Sequence, residues 1–514
     1  MRNIHYTSAI AALFILGTQA FAVEKVDPKQ KVETPVLAGD SLSVNMDAES
    51  ELTEVNSIAD AFKNGKVKGL LRYGAQHRDS NYYVLQDDPT IATGGVKAYS
   101  AIGGYLGYET APLHNFSVGA TFYTANPFLG NNSDERKGLG GLYEADGGQD
   151  SYYVLGEAYL KYQDDEHRVV VGRQEMPDYR FISLSNIRFT PFTHEGATYE
   201  NTSIEGLKIN AAYITGQKDR NSEDFQDMVR SARVSVGSVE DSNGNTLKTK
   251  IRGTYNPNNF DASGNYNGED KEMPMVGAIF SQENFTAEAW NYYVNDFANT
   301  VYLYGQYNFN PSDNWKLALA AQYSNQQDVG DGVAGAVDTW FYGLKAEAAS
   351  SNGMLFFLNY NEVSYNEDSY DGGTMFVRWG TPQMFNSFQV QDSELAGTKS
   401  VGVGAQFDLG SLGILDSTVI RFRYADYDLP DDIDMIDARQ DRTEATFDLR
   451  YSFTKTSGFG IFTQMDGLSV QFRVAYDNFK TDYDFEAYKA KHGFSFEKVD
   501  DDFVDARLYI DYVF

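Results

Sequence analysis

The stretch from Asp505 to Phe514, DARLYIDYVF, decides the fold. Side chains alternate across an extended strand with period two. Val504, Ala506, Leu508, Ile510, Tyr512 and Phe514 therefore share one apolar face, while Phe503, Asp505, Arg507, Tyr509, Asp511 and Val513 share a largely polar one. A strand buried in protein on both sides would not place Asp and Arg at alternate positions, because an unpaired buried charge is costly. An edge strand in water has no use for so aromatic an opposite face. The pattern predicts one face against an apolar medium and one against water.

Three upstream segments split the same way. In STVIRFRYADYD (Ser417–Asp428), Ile420, Phe422 and Tyr424 face out, and Arg421 and Arg423 face in. In RTEATFDLRYSF (Arg442–Phe453), Ala445, Phe447, Leu449, Tyr451 and Phe453 face out, and Glu444, Asp448 and Arg450 face in. In LSVQFRVAYD (Leu468–Asp477) the apolar set is Leu468, Val470, Phe472, Val474 and Tyr476, opposite Gln471 and Arg473. A Lys or Arg on a lipid face costs roughly 2–4 kcal/mol at mid-bilayer. A slip of one residue would put every one of these arginines there, so the register is fixed.

About eighteen such segments run from Lys66–Arg78 to Phe503–Phe514, each near the ten residues that a tilted membrane strand needs. Their connections sort by length. TAPLHN, DDEH, SIEG, PSDN and SSNG are tight, and between them lie polar loops at 125–151, 175–194, 218–271, 366–397, 428–442 and 479–502. Short periplasmic turns alternating with long extracellular loops are the mark of an outer-membrane barrel. Asp296–Asn299 is short for an outer loop, and Gly410–Ser417 and Thr454–Gly467 are long for inner turns. The expectation is an all-β, transmembrane antiparallel β-barrel of about 18 strands.

Composition agrees. The 514 residues include 36 Tyr and 34 Phe, strand formers that also build interfacial girdles, and no Cys. The formal charge of -31 argues against a nucleic-acid partner, which requires a basic face. Residues 1–22, MRNIHYTSAIAALFILGTQAFA, read as a secretory signal, with Arg2 before an apolar run and Ala20-Phe21-Ala22 as the cleavage pattern. Residues 23–64 read as an acidic periplasmic lead-in in which Leu52, Val55, Ile58 and Phe62 mark a short amphipathic helix. Residues 65–514 form the barrel domain.

A barrel of sixteen to eighteen strands is too wide for side chains to fill and leaves an aqueous channel. The loop Glu175–His194 is apolar for a surface loop (Phe181, Ile182, Phe189, Phe192) and carries Arg180 and Arg188, which makes it the candidate constriction. Lumen-facing Lys68, Arg72, Arg78, Arg421, Arg423, Arg450, Arg473 and Arg507 would form a cationic track, with Asp448, Asp505 and Asp511 as pairing partners. Arg173 is counted with this pore-lining set, although its facing stays open, since RVVVGRQ has little alternation. Rings of Arg favour anions. Ordinary pairing along a polar wall is the competing account for any single arginine.

The block from Gly172 to Phe225 resembles the corresponding part of the OprD family of outer-membrane porins. The matching features are Gly172-Arg173-Gln174, Arg188, Pro191, Glu195-Gly196 and IEGLKINAAYITGQKDRNSEDF, together with the lead-in SIADAFKNGKVKGLLRY at Ser57–Tyr73. Asn186 stands where an Asp is common, and His194 where a Phe is. The aromatic last residue, Phe514, is similar to the C-terminal signal of outer-membrane barrels. The resemblance implies eighteen strands, a third external loop folded inward, and a wall of arginines guiding small solutes, often carboxylates.

The expected function is passive diffusion of small hydrophilic solutes through the outer membrane, favouring small anionic or carboxylate-containing ones. A general or cation-preferring pore is the alternative, given the acidic loops. An outer-membrane enzyme is weakly supported, because no G-x-S-x-G elbow or H-E-x-x-H zinc motif occurs, and adhesion by the loops is a further reading. No cofactor or metal is expected: the Asp-rich DLPDDIDMIDARQD lacks EF-hand spacing. Expected partners are solutes, outer-membrane lipid and lipopolysaccharide, with the chain a monomer or homotrimer.

Overall fold

The computed structural model describes residues 52–514 apart from 85–89, 129–142, 146–147, 177–178, 183–187, 241–245, 381–383, 392, 431–439, 455–465 and 481–497. The expected signal segment, most of the lead-in and most of the Asp-rich loop lie outside the described residues. Eighteen long strands form one closed antiparallel sheet. In chain order they are β1 (Lys66–Val84), β2 (Thr90–Glu109), β3 (Phe116–Pro127), β4 (Tyr152–Gln163), β5 (His167–Gln174) and β6 (Thr193–Ile204). Next come β7 (Leu207–Lys218), β8 (Met273–Gln282), β9 (Phe285–Val294), β10 (Ala298–Ser312), β11 (Trp315–Asp328) and β12 (Asp338–Ser350). The last are β13 (Met354–Val363), β14 (Lys399–Asp408), β15 (Thr418–Asp428), β16 (Arg442–Ser452), β17 (Leu468–Phe479) and β18 (Lys498–Val513). Each pairs with its neighbour in sequence, and β1 pairs with β18 from Leu70↔Val513 to Val84↔Lys498, which closes the cylinder without a free edge. A two-residue strand, Phe225–Gln226, adds to the end of β7.

Burial follows the alternation. Phe422 on β15 is 48% exposed, while Arg421 and Arg423 on either side are 3% exposed. On β18, Val504, Tyr512 and Phe514 are exposed and Asp505, Arg507, Tyr509 and Asp511 are buried. The exposed side chains form the lipid-facing band, which includes Leu106, Phe122, Leu160, Leu319, Leu344, Leu358, Val403 and Phe472. Short connections such as 164–166, 205–206, 283–284 and 313–314 fall at one end and the long loops at the other. The sequence exceptions persist: 295–297 is a brief outer link and 409–417 a long inner one.

The motif glycines have a backbone reason. Gly172 on β5 and Gly196 on β6 are register partners with φ of 125° and 155°. A Cβ on Gly172 would lie 2.2 Å from Ala158 O, and one on Gly196 would lie 2.2 Å from Tyr213 O. Both lie near the root of the loop between the strands, the register of β6 against β7 shifts between Glu195 and Gly196, and only glycine permits that φ and that approach. Gly196→Val is expected to lose the compact, heat-resistant form on unheated gel electrophoresis after refolding, since strain of this kind costs of order 1–3 kcal/mol before the clash is counted.

The lumen is not empty. Described residues of the loops 175–192, 219–272 and 364–398 share one apolar cluster with the wall. Met176, Tyr179, Phe181 and Ile182 meet Trp290, Tyr292, Tyr302 and Phe341, and Met375, Phe376, Trp379 and Phe385 join them. The loops also bond to one another: Trp379 Nε1 donates to Met228 O at 2.8 Å, at the start of a short helix (Met228–Ser231). Apolar side chains thus fill the side of the barrel formed by β9–β12, and the polar side is left to β14–β18 and β1.

Candidate functional site

The described residues of the loop between β5 and β6 are held at two opposite walls of the lumen. At one wall, Arg180 Nε donates to Glu288 Oε2 of β9 at 2.8 Å, a second guanidinium nitrogen reaches Oε1, and Trp290 Nε1 donates to the same carboxylate at 2.9 Å. Burial opposes the Arg180 charge, but Glu288 beside it more than offsets this and holds its pKa above the ordinary value. The next residue, Phe181, sits at φ 60°, a left-handed conformation unusual for an aromatic residue. It is held there by its ring, edge-on to Tyr302 at 5.3 Å and tilted against Tyr292 at 5.8 Å.

At the opposite wall, Arg72 of β1 donates to the carbonyl of Arg188. The Arg72 guanidinium is itself clamped by Asp511 of β18, Nε to Oδ1 and Nη2 to Oδ2, both at 2.7 Å. The return limb is fixed by Thr190 Oγ1 against Tyr152 Oη at 2.9 Å and by Lys218. Lys218 is fully buried and donates to Thr190 Oγ1 and Pro191 O, each at 3.2 Å, and to Asp219 O at 2.7 Å. His194 Nε2 donates to Trp379 O at 3.1 Å and ties the loop root to the second inward loop.

That second loop covers the arginine wall. Glu444 of β16 accepts the backbone N–H groups of Gln389, Val390 and Gln391 at 2.8, 3.1 and 2.9 Å. Gln391 Nε2 donates to Asp477 of β17 at 2.9 Å, and Gln389 Nε2 to Asp505 of β18 at 3.0 Å. The Phe388 ring lies 4.7 Å from the Arg423 guanidinium, within cation–π range. Its apolar residues (Met375, Phe376, Trp379, Met384, Phe385, Phe388) carry the same signal that singles out the 175–194 loop, although the sequence reading places 366–397 simply among the long polar loops.

Under this cover lie the arginines that the sequence predicts. Arg421, Arg423 and Arg473 all turn to Asp448, with Arg421 Nη2 at 3.1 Å and Arg423 Nη2 at 3.4 Å. Arg507 pairs with Asp505, which also takes Arg78 at 2.8 Å. Arg473 and Arg507 are cross-strand neighbours, and Arg473 Nη2 and Arg507 Nη1 are buried without an acceptor among the described residues. Guanidinium charge exceeds carboxylate charge on this wall. The rungs at Arg72, Arg421, Arg423, Arg473 and Arg507 are shielded, whereas Arg78, Arg188 and Arg450 keep accessible surface.

Arg188 completes the arrangement from the loop side. Nη1 lies 3.5 Å from Gln76 Oε1, and among the described residues no carboxylate pairs with it. Burial, and then the nearby Arg507 charge, push its pKa below the ordinary value. Arg180 stands apart, buried in its pair with Glu288 at the far wall. Arg173 does not join the lumen set. Arg173 shares the face of exposed Val171, two positions before it, and lies beside exposed Leu155, paired with Glu195 at 2.9 Å, on the outer face. Lys68 faces in but pairs with Glu157 of β4 at 2.7 Å, away from the ladder.

A closed barrel with inward loops and a charged, partly covered wall is the architecture of an outer-membrane diffusion channel. A family profile described as outer membrane porin, OprD family, matches residues 116–513. The chain belongs to the OprD family of porins and is an integral protein of the outer membrane. Among solved structures, it is similar to OccK9 (OpdG) of Pseudomonas aeruginosa, with a TM-score of 0.65 and 17% identity over 88% of this chain and 99% of that one. OccAB3 of Acinetobacter baumannii gives a TM-score of 0.64 and 17% identity, covering 87% and 99%. OpdK of Pseudomonas aeruginosa, solved with vanillate, gives 0.60 and 17%, covering 88% and 99%. At such identities the likeness establishes the fold. No match to an individual curated protein is found.

Proposed function

We propose that this porin favours small solutes bearing a carboxylate, which pass between the inward loop and the arginine wall. The observation that carries this reading is Arg188: a half-buried guanidinium without a carboxylate partner among the described residues, held against Gln76 beside Arg507. Solute carboxylate would supply what the protein leaves out, since a guanidinium fork accepts a carboxylate in two parallel bonds. The surplus charge behind it, around Asp448, adds a positive field that low-dielectric walls focus into the lumen. The neighbours OpdK and OccK2 (OpdF), solved with vanillate and with glucuronate, hold molecules of this class. The -31 charge of the whole chain favours the cation-preferring alternative at the mouth. Exposed loop charges are screened within about 8 Å at physiological salt, so they act on approach rather than at the narrowing.

Reversal potential in a planar bilayer under a potassium chloride gradient tests the reading. The unaltered protein should be anion-selective, and Arg188→Gln should move the potential toward zero without loss of conductance. Cation selectivity in the unaltered protein, or no shift in the variant, would overturn it.

A further inference from the structure

The segment before β1 carries a feature that solute passage does not use. Residues Ile58–Lys63 form a short helix, α1. Six residues are too few for a helix to persist alone in water, and local bonds hold this one. Ser57 Oγ accepts from Asp60 N at 3.1 Å, and Asn64 Nδ2 donates to Asp60 O at 3.0 Å. The backbone is fastened to the turn between β2 and β3, with Val55 N donating to Pro112 O at 2.9 Å and Ala111 N to Ala61 O at 3.0 Å. Only Ala61 is buried. Ile58 and Phe62, one turn apart on the same side, are 69% and 59% exposed.

The place of the helix tells what covers that side. Tyr108 of β2 donates through its hydroxyl to Phe62 O, and its ring closes over Gly65. Tyr108 is register partner to Val67 and Ala120, on the face that also carries exposed Val67, Leu106, Phe116 and Val118. This is the outward, lipid-facing side. Short turns mark the periplasmic end, so α1 hangs from the outside of the periplasmic rim, at the height of a girdle tyrosine. Its two exposed apolar side chains are thereby set next to the lipid-facing band.

We propose that α1 lies in the periplasm-facing interface of the outer membrane, with Ile58 and Phe62 inserted among phospholipid acyl chains beside Tyr108. An amphipathic helix of this kind rests in the plane of the interface with its apolar side in the acyl boundary. It clamps the start of the barrel to the membrane surface and sets the direction in which the preceding chain leaves. Lys63, about 100° around the helix from Phe62, stays in water.

The chain has no Cys, so single-site spin labelling is clean. Ile58→Cys, Phe62→Cys, Lys63→Cys and Leu106→Cys are each labelled in the full protein and reconstituted into phosphatidylethanolamine–phosphatidylglycerol vesicles. Collisions with oxygen and with a water-soluble nickel chelate are then compared. The oxygen-to-nickel ratio at positions 58 and 62 should approach that at 106 and exceed that at 63 several-fold. A ratio at 58 and 62 equal to that at 63 would place the helix in water. Low collision rates with both reagents would show protein covering it. Either result overturns the proposal.

Discussion

Asp448→Asn is expected to destabilise the folded barrel by on the order of 3–5 kcal/mol, the usual cost of removing one partner from a buried ionic group. Asp448 is fully buried and is the shared counter-ion of Arg421, Arg423 and Arg473. Asn keeps the shape but not the charge, so packing around β16 is unaltered and three guanidiniums are left facing one another. The lumen cannot hydrate them freely, because Phe388 and the backbone of Gln389–Gln391 lie over the wall. The urea midpoint of the detergent-solubilised protein should fall sharply. An unchanged midpoint would mean that water already reaches and screens the cluster. Asp448→Asn with Arg423→Gln should recover part of the loss, because one excess charge is removed with the carboxylate.

Glu288→Gln should raise single-channel conductance several-fold and make it noisy. Glu288 is the seat of Arg180, and with Trp290 and the Phe181 ring it fixes one end of the loop between β5 and β6. Without the carboxylate, Arg180 is a buried cation without its counter-ion, and the loop can shed that cost by leaving the wall. Arg180→Met with Glu288→Leu is the informative contrast. Both charges are gone, the apolar cluster of Met176, Ile182, Trp290 and Tyr292 can close around the replacements, and conductance should stay near that of the unaltered channel. A double variant as open as the single one would show that the ion pair positions the loop rather than merely neutralising a buried charge.

The barrel was readable because its strands separate two solvents. Where lipid lies on one side and water on the other, side chains tend to change character at every second position, and β15 to β18 show this around Arg421, Arg423, Asp448, Arg473 and Arg507. At Arg173 the VVV run hides the alternation: Val170 is buried and Val171 exposed, and Arg173 follows Val171 outward beside Leu155. The contents of the lumen were much less legible. Arg180 and Arg188 lie eight positions apart in one loop, yet they end at opposite walls. Their partners, Glu288 and the Arg72–Gln76 stretch, are more than a hundred residues away, and no local period encodes such contacts. The loop at 364–398 was missed for the same reason. Its apolar residues were visible, but Glu444 and Asp477, which receive it, look in sequence like ordinary wall carboxylates.

The clamp on the Arg188 carbonyl is made by Arg72 from the first strand and Asp511 from the last, 439 positions apart. Such a seat has no existence in a nascent sheet: it comes into being when β1 meets β18. The seat for this limb of the loop is therefore a product of closure, whereas the seat for Arg180 on β9 is not.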